Sequence, residues 1–245
     1  MIPNVVTTKL KTKYGHLIVA RDDLLPGGTK QRAAVPFIQK MMELGHKEFN
    51  YASPFCGYAQ IALAIACQLC KARCHIFAVK DKGSISRYSS IAASYGARLF
   101  LFNTLEEAEI ASDEANGFKI PLGFNHKLYE SCFETALKHQ LNTISGFENV
   151  WVPVGSGTLA RAMRACLPSH TMLLCINIGV LSNNDERIIS LTKLQNTIVI
   201  HSPEEFASPA NILPSIPSNP YYDAKLWRFL VNQAKENDLW WNVAC

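Results

Sequence analysis

The chain has 245 residues, of which 48% are hydrophobic and 18% are charged, a composition that argues against general disorder and can form one large domain or two lobes. Its net charge of +4, from 24 basic and 20 acidic residues without a long basic block, suits anionic ligands and is weak evidence for nucleic acid. The apolar runs are too short for a membrane span and the N-terminus lacks the apolar core of a signal peptide, which predicts a cytoplasmic protein without a membrane partner.

Short apolar segments rich in strand-forming residues alternate with helical patterns along the chain. Strands are predicted at 16–20, 48–53, 74–79, 97–102, 149–154, 172–178 and 196–202. Helices are predicted at 59–72, 86–96, 126–141 and 158–167. Because the strands are continuously apolar rather than alternating, they favour mostly parallel sheets covered on both faces. The fold class is therefore α/β.

Two segments are rich in glycine or proline. Residues 112–126 are predicted to connect two lobes, and residues 203–222 contain five of the twelve prolines. The second segment is either a long ordered loop or a shortened lid. It lies near a ligand or forms a plain surface connection, and both interpretations are kept.

Eight cysteines occur in a chain without a secretory signal, which favours free thiols over disulfides. Cys67 and Cys70 form a CxxC pattern, but no second pair with zinc spacing follows, so no metal site is expected. Trp240 and Trp241 are interpreted as core residues. Four histidines are interpreted as structural because their spacing fits no metal site: His16, His75, His126 and His201.

Lys30 stands directly behind two glycines and a threonine in the stretch PGGTK, residues 26–30. Glycines mark places where the backbone turns sharply or approaches another group closely. A lysine on a solvated helix face needs no such environment. Without the other motifs, however, an ordinary surface lysine is the better interpretation of Lys30. The pattern raises the question of what approaches it.

A second cluster of small residues follows the strand at 149–154: Gly155, Ser156, Gly157 and Thr158, ahead of an amphipathic helix. The start of a helix offers free N–H groups and the positive end of the helix dipole, and the two hydroxyls add donors. This predicts an anion site, with a plain turn capped by Thr158 as the alternative. The dinucleotide pattern lacks its acidic residue, and the P-loop pattern lacks its lysine.

A phosphate-binding loop and a lysine introduced by glycines are the parts needed to hold pyridoxal phosphate (PLP), whose aldehyde forms a Schiff base with a lysine amine. Lys30 would be that lysine. Partial burial would lower the pKa of its amine, provided that Asp22 and Asp23 point elsewhere.

Several segments, in order, resemble the fold-type II PLP enzymes, especially the D-cysteine desulfhydrase and aminocyclopropane-carboxylate deaminase branch, with cysteine synthase and threonine synthase as wider relatives. ARDDLLPGGTKQRA at 20–33 is similar to KRDDL…GGNKTRK, whose cofactor-bearing lysine maps onto Lys30. VPVGSGTLARAM at 152–163 is similar to the GSGGT phosphate loop, one glycine shorter. Further similar segments are 93–102, 119–136, 220–230 and 239–244.

The resemblance implies a two-lobed, three-layer α/β/α fold of the tryptophan synthase β type. Its larger lobe would comprise residues 1–48 and 140–245 and its smaller lobe residues 49–139, with PLP in the cleft between them. It also implies a homodimer and a small amino acid or amine as substrate.

Three departures from the family concern the cofactor. The asparagine beside the ring hydroxyl is replaced by the run from Ser53 through Cys56 to Gly57, which makes Ser53 and Cys56 candidate neighbours of the cofactor. A helix-capping role for Ser53 is the alternative. The family's glutamate facing the pyridine nitrogen falls in the shortened segment 203–222, and Asn242 or Cys245 on the final strand is a candidate replacement. The phosphate loop lacks one N–H donor.

The resulting hypothesis is a PLP-dependent, lyase-like or deaminase-like enzyme of amino acid metabolism that acts at the α-carbon by elimination, deamination or replacement. Lys30 would be the catalytic residue. The predicted cofactor-binding residues are Lys30, Ser53, Cys56, Gly155, Ser156, Gly157, Thr158 and Asn242. Two alternatives remain: a catalytically degenerate binding protein with the same fold, and a PLP enzyme acting on a bulkier amine attached to nucleic acid.

Overall fold

The computed structural model describes residues 2–245 as an α/β protein. Its strands are β1 (Thr7–Thr12), β2 (Gly15–Arg21), β3 (Glu48–Ser53), β4 (Arg73–Val79), β5 (Arg98–Phe102), β6 (Phe118–Lys119), β7 (Asn149–Val154), β8 (Met172–Asn177), β9 (Thr197–His201) and β10 (Leu239–Asn242). Its helices are α1 (Gln31–Glu43), α2 (Ala59–Cys70), α3 (Arg87–Ser94), α4 (Leu105–Glu114), α5 (Lys127–Leu141), α6 (Thr158–Cys166), α7 (Glu186–Thr192) and α8 (Ala224–Gln233). The predicted α/β class is confirmed.

The chain divides into two compact units. The first contains the described residues up to Leu25 together with Phe133–Cys245, and the second is Pro26–Cys132. The sequence boundaries assign residues 26–48 to the larger lobe, whereas the structure groups them with the second unit. The reason is that α1 packs along α2, a long-range contact that no local pattern reveals.

The first unit is built on a six-stranded sheet in the order β1-β2-β10-β7-β8-β9. β1 pairs antiparallel with β2, and all the other pairs are parallel. Its core surrounds Trp240, which packs with Leu17, Trp151 and Leu226. Trp240 and Trp241 are both fully buried, which confirms their interpretation as core residues.

The second unit is built on a four-stranded parallel sheet in the order β5-β4-β3-β6. β6 lies in the stretch 112–126 that the sequence interprets as a connection between lobes. Because β6 pairs with Phe49 and Asn50 of β3, this stretch belongs to the sheet of the second unit.

Several elements have no counterpart among the strands and helices predicted from the sequence, among them β1, β6, α1, α4 and α7. β1 forms a hairpin with β2, and its exposed Lys9 and Lys11 leave Leu10 as its one apolar residue, so the segment does not match the apolar runs from which strands were predicted. Pro36 lies inside α1, where proline normally disfavours a helix because it cannot donate a backbone hydrogen bond. Tertiary packing of the buried face of α1 outweighs that preference.

Three further observations concern membrane spans, cysteines and metal ligands. No helix within residues 2–245 is long and apolar enough to cross a membrane. The cysteines are free thiols at positions 56, 67, 70, 74, 132, 166, 175 and 245. No group of three or more His, Cys, Asp or Glu residues in the described chain is placed to hold a metal ion. The Nδ1 atom of His75 lies 3.1 Å from Asn50 Oδ1. Burial lowers the pKa of the His75 ring.

Candidate active site

Lys30 follows a turn that only glycines can form. Gly28 has a φ of +63°, in the left-handed region that favours glycine. Gly27 lies so close to α2 that a Cβ there would come 2.8 Å from the Cα of Ala62. The two glycines therefore serve both purposes that the sequence suggested, a sharp turn and a close approach.

The position of Lys30 is fixed by contacts within the second unit. Lys30 has helical φ and ψ angles and is the residue immediately before α1. Its backbone carbonyl accepts a hydrogen bond from the Tyr129 hydroxyl at 3.1 Å, and burial raises the pKa of Tyr129. The turn is also tied to the start of α2, because the Tyr58 hydroxyl donates to the Pro26 carbonyl at 3.0 Å. Lys30 is half-buried, in contrast to a lysine on an open helix face.

A second turn, from Ser53 to Gly57, lies at the same end of α2. Ser53 is fully buried, and its hydroxyl lies 3.2 Å from the Pro54 carbonyl, to which it donates. A Cβ on Gly57 would come 2.5 Å from Ser53 Oγ, so the turn closes tightly over Ser53. The residue at the N-cap of α2 is Tyr58, so Ser53 is not the cap. The second unit thus brings the turn that precedes Lys30 to the first turns of α2, and Ser53 and the buried Cys56 lie just before the same helix.

Asp22 and Asp23, which could have kept a nearby lysine protonated, are engaged within the first unit. Asp22 accepts a hydrogen bond from Trp241 Nε1 at 2.9 Å. Asp23 forms a two-pronged ion pair with Arg21, with both N–O distances 2.7 Å, and this hydrogen bonding raises the pKa of Arg21. Each of the two carboxylates therefore has a specific partner within the first unit.

In the first unit, the segment Gly155–Thr158 joins β7 to α6. Gly157 has a φ of +82° and is the N-cap residue, so Thr158 is the first helical residue rather than the cap. Ser156 Oγ and Thr158 Oγ1 lie 3.1 Å apart, and both side chains are buried. Two hydroxyls and the first N–H groups of a nine-residue helix therefore converge on one point.

Arg161 adds positive charge to this segment. Its Nη2 lies 3.5 Å from Thr158 Oγ1, and a Cβ on Gly157 would come 2.9 Å from its Nη1. Arg161 was missed in the sequence because a basic residue one turn into an amphipathic helix resembles an ordinary solvated position. Its place beside the loop supports an anion site, since a guanidinium supplies several donors to phosphate oxygens.

Asn242 lies at the same edge of the sheet. β10 is a parallel neighbour of β7 in the sheet. Asn242 is the last residue of β10 and Gly155 directly follows β7, so both lie at the carboxyl edge of the sheet. This edge is where open α/β sheets bind ligands. Asn242 is fully buried and its Nδ2 donates to the Pro217 carbonyl at 2.8 Å, but its Oδ1 has no hydrogen-bond partner among residues 2–245. Cys245, the alternative to Asn242, is half-buried with its thiol 3.5 Å from the Asp23 carbonyl.

The segment 203–222 is an ordered loop without a helix or strand. Lys225 of α8 is fully buried and donates from Nζ to the carbonyls of Glu205, at 2.6 Å, and Phe206, at 3.3 Å. At the other end of the loop, the Asn219 amide donates to the Ala244 carbonyl at 2.8 Å. These bonds hold both ends of the loop in place. They favour the first of the two interpretations of this segment, a long ordered loop, over the second, a shortened lid.

Asp223 fixes the backbone that follows Asn242. Its fully buried carboxyl group accepts hydrogen bonds from the amides of Val243, at 2.6 Å, and Ala244, at 3.1 Å. Burial raises the pKa of Asp223 well above its usual value, and the two amide donors oppose that rise. The carboxyl group thereby connects the start of α8 to the end of the chain.

Replacing Asp223 with alanine is expected to lower the free energy of unfolding by about 3 kcal/mol, because it leaves the part-buried amide of Val243 and the buried amide of Ala244 without an acceptor. Chemical denaturation followed by tryptophan fluorescence measures this change. Asp113→Ala is the matched control, since the Asp113 carboxylate is exposed in a surface ion pair with Lys119 and its loss should change little. Equal small losses in both variants would contradict the role of Asp223.

The donors and acceptors of the two units suit the functional groups of PLP. The Gly155–Thr158 loop with Arg161 suits a phosphate, and a half-buried lysine suits an aldehyde. The unpartnered Asn242 Oδ1 requires a hydrogen-bond donor. The resemblance implies an asparagine beside the ring hydroxyl of PLP. At that place in the sequence this chain has the hydroxyl of Ser53 and the thiol of Cys56.

Comparison with solved structures identifies the class of fold. The structure is similar to a homologue of ACC deaminase, at 16% sequence identity with a TM-score of 0.75, over 99% of this chain and 91% of that one. It is also similar to diaminopropionate ammonia lyase from Escherichia coli, at 12% identity and a TM-score of 0.68, over 99% and 83% of the two chains. Maize serine racemase matches at 14% identity and a TM-score of 0.69, over 97% and 87%. The chain has the fold of the fold-type II PLP enzymes, which confirms the fold expected from the resemblance.

No protein-family model matches the chain, and no curated protein is significantly similar to it in sequence. Similarity to solved structures therefore defines the fold, and the residues described above carry the argument about function.

Proposed function

We propose that this protein is a PLP-dependent enzyme that attaches the cofactor through Lys30 and acts at the α-carbon of an amino acid or a related small amine. The observation that carries the proposal is the Gly27–Gly28 turn, which fixes the half-buried Lys30 at the start of α1 in a chain with the fold of PLP enzymes. The reaction class is elimination, deamination or replacement, as in the lyases and deaminases among its structural neighbours.

The phosphate of the cofactor would be held by the loop from Gly155 to Thr158 in the first unit. Its backbone N–H groups, the Ser156 and Thr158 hydroxyls and the Arg161 guanidinium supply donors and positive charge. Arg161 offsets the glycine that this loop lacks relative to the family.

In the second unit, Ser53 and Cys56 are the residues proposed to lie beside the cofactor. PLP supplies an electron sink that stabilises negative charge at the α-carbon of a bound amine. The Lys30 amine, once displaced by the substrate amine, removes or returns the proton at that carbon. Asp22 and Asp23 accept hydrogen bonds from Trp241 and Arg21, and the Arg21 guanidinium balances the charge of the Asp23 carboxylate.

The test is to trap the attached cofactor. The protein is incubated with PLP, reduced with borohydride and digested, and the labelled peptide is identified by mass spectrometry. We expect the label on the peptide that carries Lys30 and on no other lysine at stoichiometric yield. Label spread over several surface lysines, or no label, would overturn the proposal.

The alternatives give different results in the same preparation. A degenerate binding protein would carry the label at Lys30 but show no change in its absorbance spectrum when amino acids are added. An enzyme for an amine attached to nucleic acid would bind DNA with an affinity that falls steeply with salt. The small-substrate proposal expects an amino-acid-dependent spectral change and no such DNA binding.

A further inference from the structure

Tyrosine hydroxyls hold both ends of the turn that carries Lys30. The Tyr58 hydroxyl donates to the Pro26 carbonyl at 3.0 Å, and the Tyr129 hydroxyl donates to the Lys30 carbonyl at 3.1 Å. All four residues belong to the second unit. The two tyrosines come from different segments, since Tyr58 precedes α2 and Tyr129 lies in the first turn of α5. The turn is therefore anchored to two separate parts of the same unit.

The Lys30 carbonyl does not need Tyr129 to satisfy its hydrogen-bonding capacity. It already accepts from the Ala34 amide at 3.1 Å, as a carbonyl at the start of an α-helix does. The Tyr129 hydroxyl is an additional donor, 99 positions away in the sequence. What this hydroxyl adds is a fixed position of the first turn of α1 against the first turn of α5.

The ring of Tyr129 is held independently of its hydroxyl. It packs edge-on against Phe37 of α1, with ring centroids 5.6 Å apart, and against Phe124, with centroids 4.9 Å apart. Burial raises the pKa of Tyr129 well above its usual value, so the phenol stays protonated and remains a donor at neutral pH. Phenylalanine at this position would keep both ring contacts and lose the hydrogen bond.

The turn lies where the chain passes from one unit to the other. The second unit begins at Pro26, directly after Leu25 of the first unit. Consecutive glycines make such a backbone flexible, and Gly28 has a φ of +63°. The tyrosine hydrogen bonds tie this stretch to the unit that also contains Ser53 and Cys56, the residues proposed to lie beside the cofactor.

We infer that Tyr58 and Tyr129 are positioning residues that fix the backbone of Lys30 and thereby speed the reaction of its amine with the aldehyde of PLP. This inference rests on the proposed function and deepens it, since both tyrosines act through the backbone of the turn. The reaction joins the lysine nitrogen to the aldehyde carbon and releases one water, so it needs no oxidant or reductant. A reacting group that folding has already placed reacts faster than one spread over many positions.

The test is the rate at which the imine band appears after the protein is mixed with saturating PLP in a stopped-flow spectrometer. Saturation removes differences in the affinity for the cofactor. We expect Tyr129→Phe to lower the rate constant about tenfold. Tyr58→Phe loses a more exposed hydrogen bond, and we expect it to lower the rate constant about threefold.

Tyr51→Phe is the matched control. Like Tyr129, Tyr51 is buried and packs edge-on against Phe124, with centroids 5.9 Å apart, but its hydroxyl accepts from the Gly123 amide at 3.5 Å rather than contacting the turn. Its rate constant should equal that of the wild type. Hydrogen exchange followed by mass spectrometry gives a second readout, because the amides of residues 31–34 should exchange faster in Tyr129→Phe than in Tyr51→Phe.

The outcomes separate this inference from the proposed function. An unchanged rate constant in Tyr129→Phe overturns the role of Tyr129, and an unchanged one in Tyr58→Phe overturns that of Tyr58, while the imine on Lys30 remains. Equal slowing in Tyr51→Phe overturns both roles, because any loosening of the second unit would then suffice. A wild-type protein that forms no imine band overturns the proposed function and the inference together. If Tyr129→Phe does not fold, slower reaction of Tyr58→Phe than of Tyr51→Phe supports the inference, and equal rates overturn it.

Discussion

Lys30→Ala is expected to lose completely the visible absorbance band that PLP produces on the wild-type protein. The band of a protonated imine requires a lysine amine within reach of the aldehyde, and Lys30, which follows the turn of Gly27 and Gly28, is the lysine proposed for that role. PLP should still bind to the variant, more weakly, through contacts to its phosphate. Absorbance spectra at saturating PLP measure the band, and equilibrium dialysis measures the binding.

Lys40→Ala is the matched control for this experiment. Lys40 lies on the same helix, α1, but its side chain is exposed, so its loss removes one positive charge without changing the turn. It should retain the wild-type band. Retention of the band in Lys30→Ala would show that PLP attaches elsewhere and would overturn the assignment of Lys30.

Gly157→Ala is expected to weaken the binding of PLP about tenfold or more, because alanine is strained by about 1–3 kcal/mol at a positive φ and the unliganded loop releases that strain by leaving the conformation that binds the phosphate. Gly157 has a φ of +82°, and a Cβ there would also come 2.9 Å from Arg161 Nη1. The new methyl group therefore disturbs both the loop and the guanidinium beside it. Titration with PLP followed by fluorescence measures the loss.

Two comparisons locate the effect of Gly157→Ala at the phosphate. Pyridoxal, which has no phosphate, should bind the variant and the wild type almost equally. Gly146→Ala is the control variant, since Gly146 has a similar φ of +76° but lies in a different loop, where a Cβ would meet no atom of the described chain within 4 Å. Equal weakening of PLP and pyridoxal, or equal weakening in both variants, would contradict a phosphate site at Gly157.

The sequence by itself determined the α/β class and most of the strands, because those signals are local. The apolar run at 149–154 coincides with β7, and the run at 48–53 coincides with β3. The glycines before Lys30 and around Ser156 were equally informative, since a positive φ or a close backbone approach favours glycine at a position.

Long-range contacts decided the rest. The hairpin of β1 and the helix α1 were missed because lysines on an edge strand and a proline inside a helix oppose the local pattern. The partner of Asp22 could not be read from the chain either, because Trp241 is 219 positions from Asp22. Side-chain partners at such separations depend on the complete fold.

The residues that give the candidate site its chemistry show the same division. The sequence placed Asn242 on the final strand, but only the tertiary structure fixed its amide against Pro217 and left Oδ1 without a donor among the described residues. It likewise placed Arg161 on a helix without showing that its guanidinium lies beside Thr158. Local pattern sets where a residue stands along the chain, and packing of distant segments sets which of its atoms remain available to a ligand.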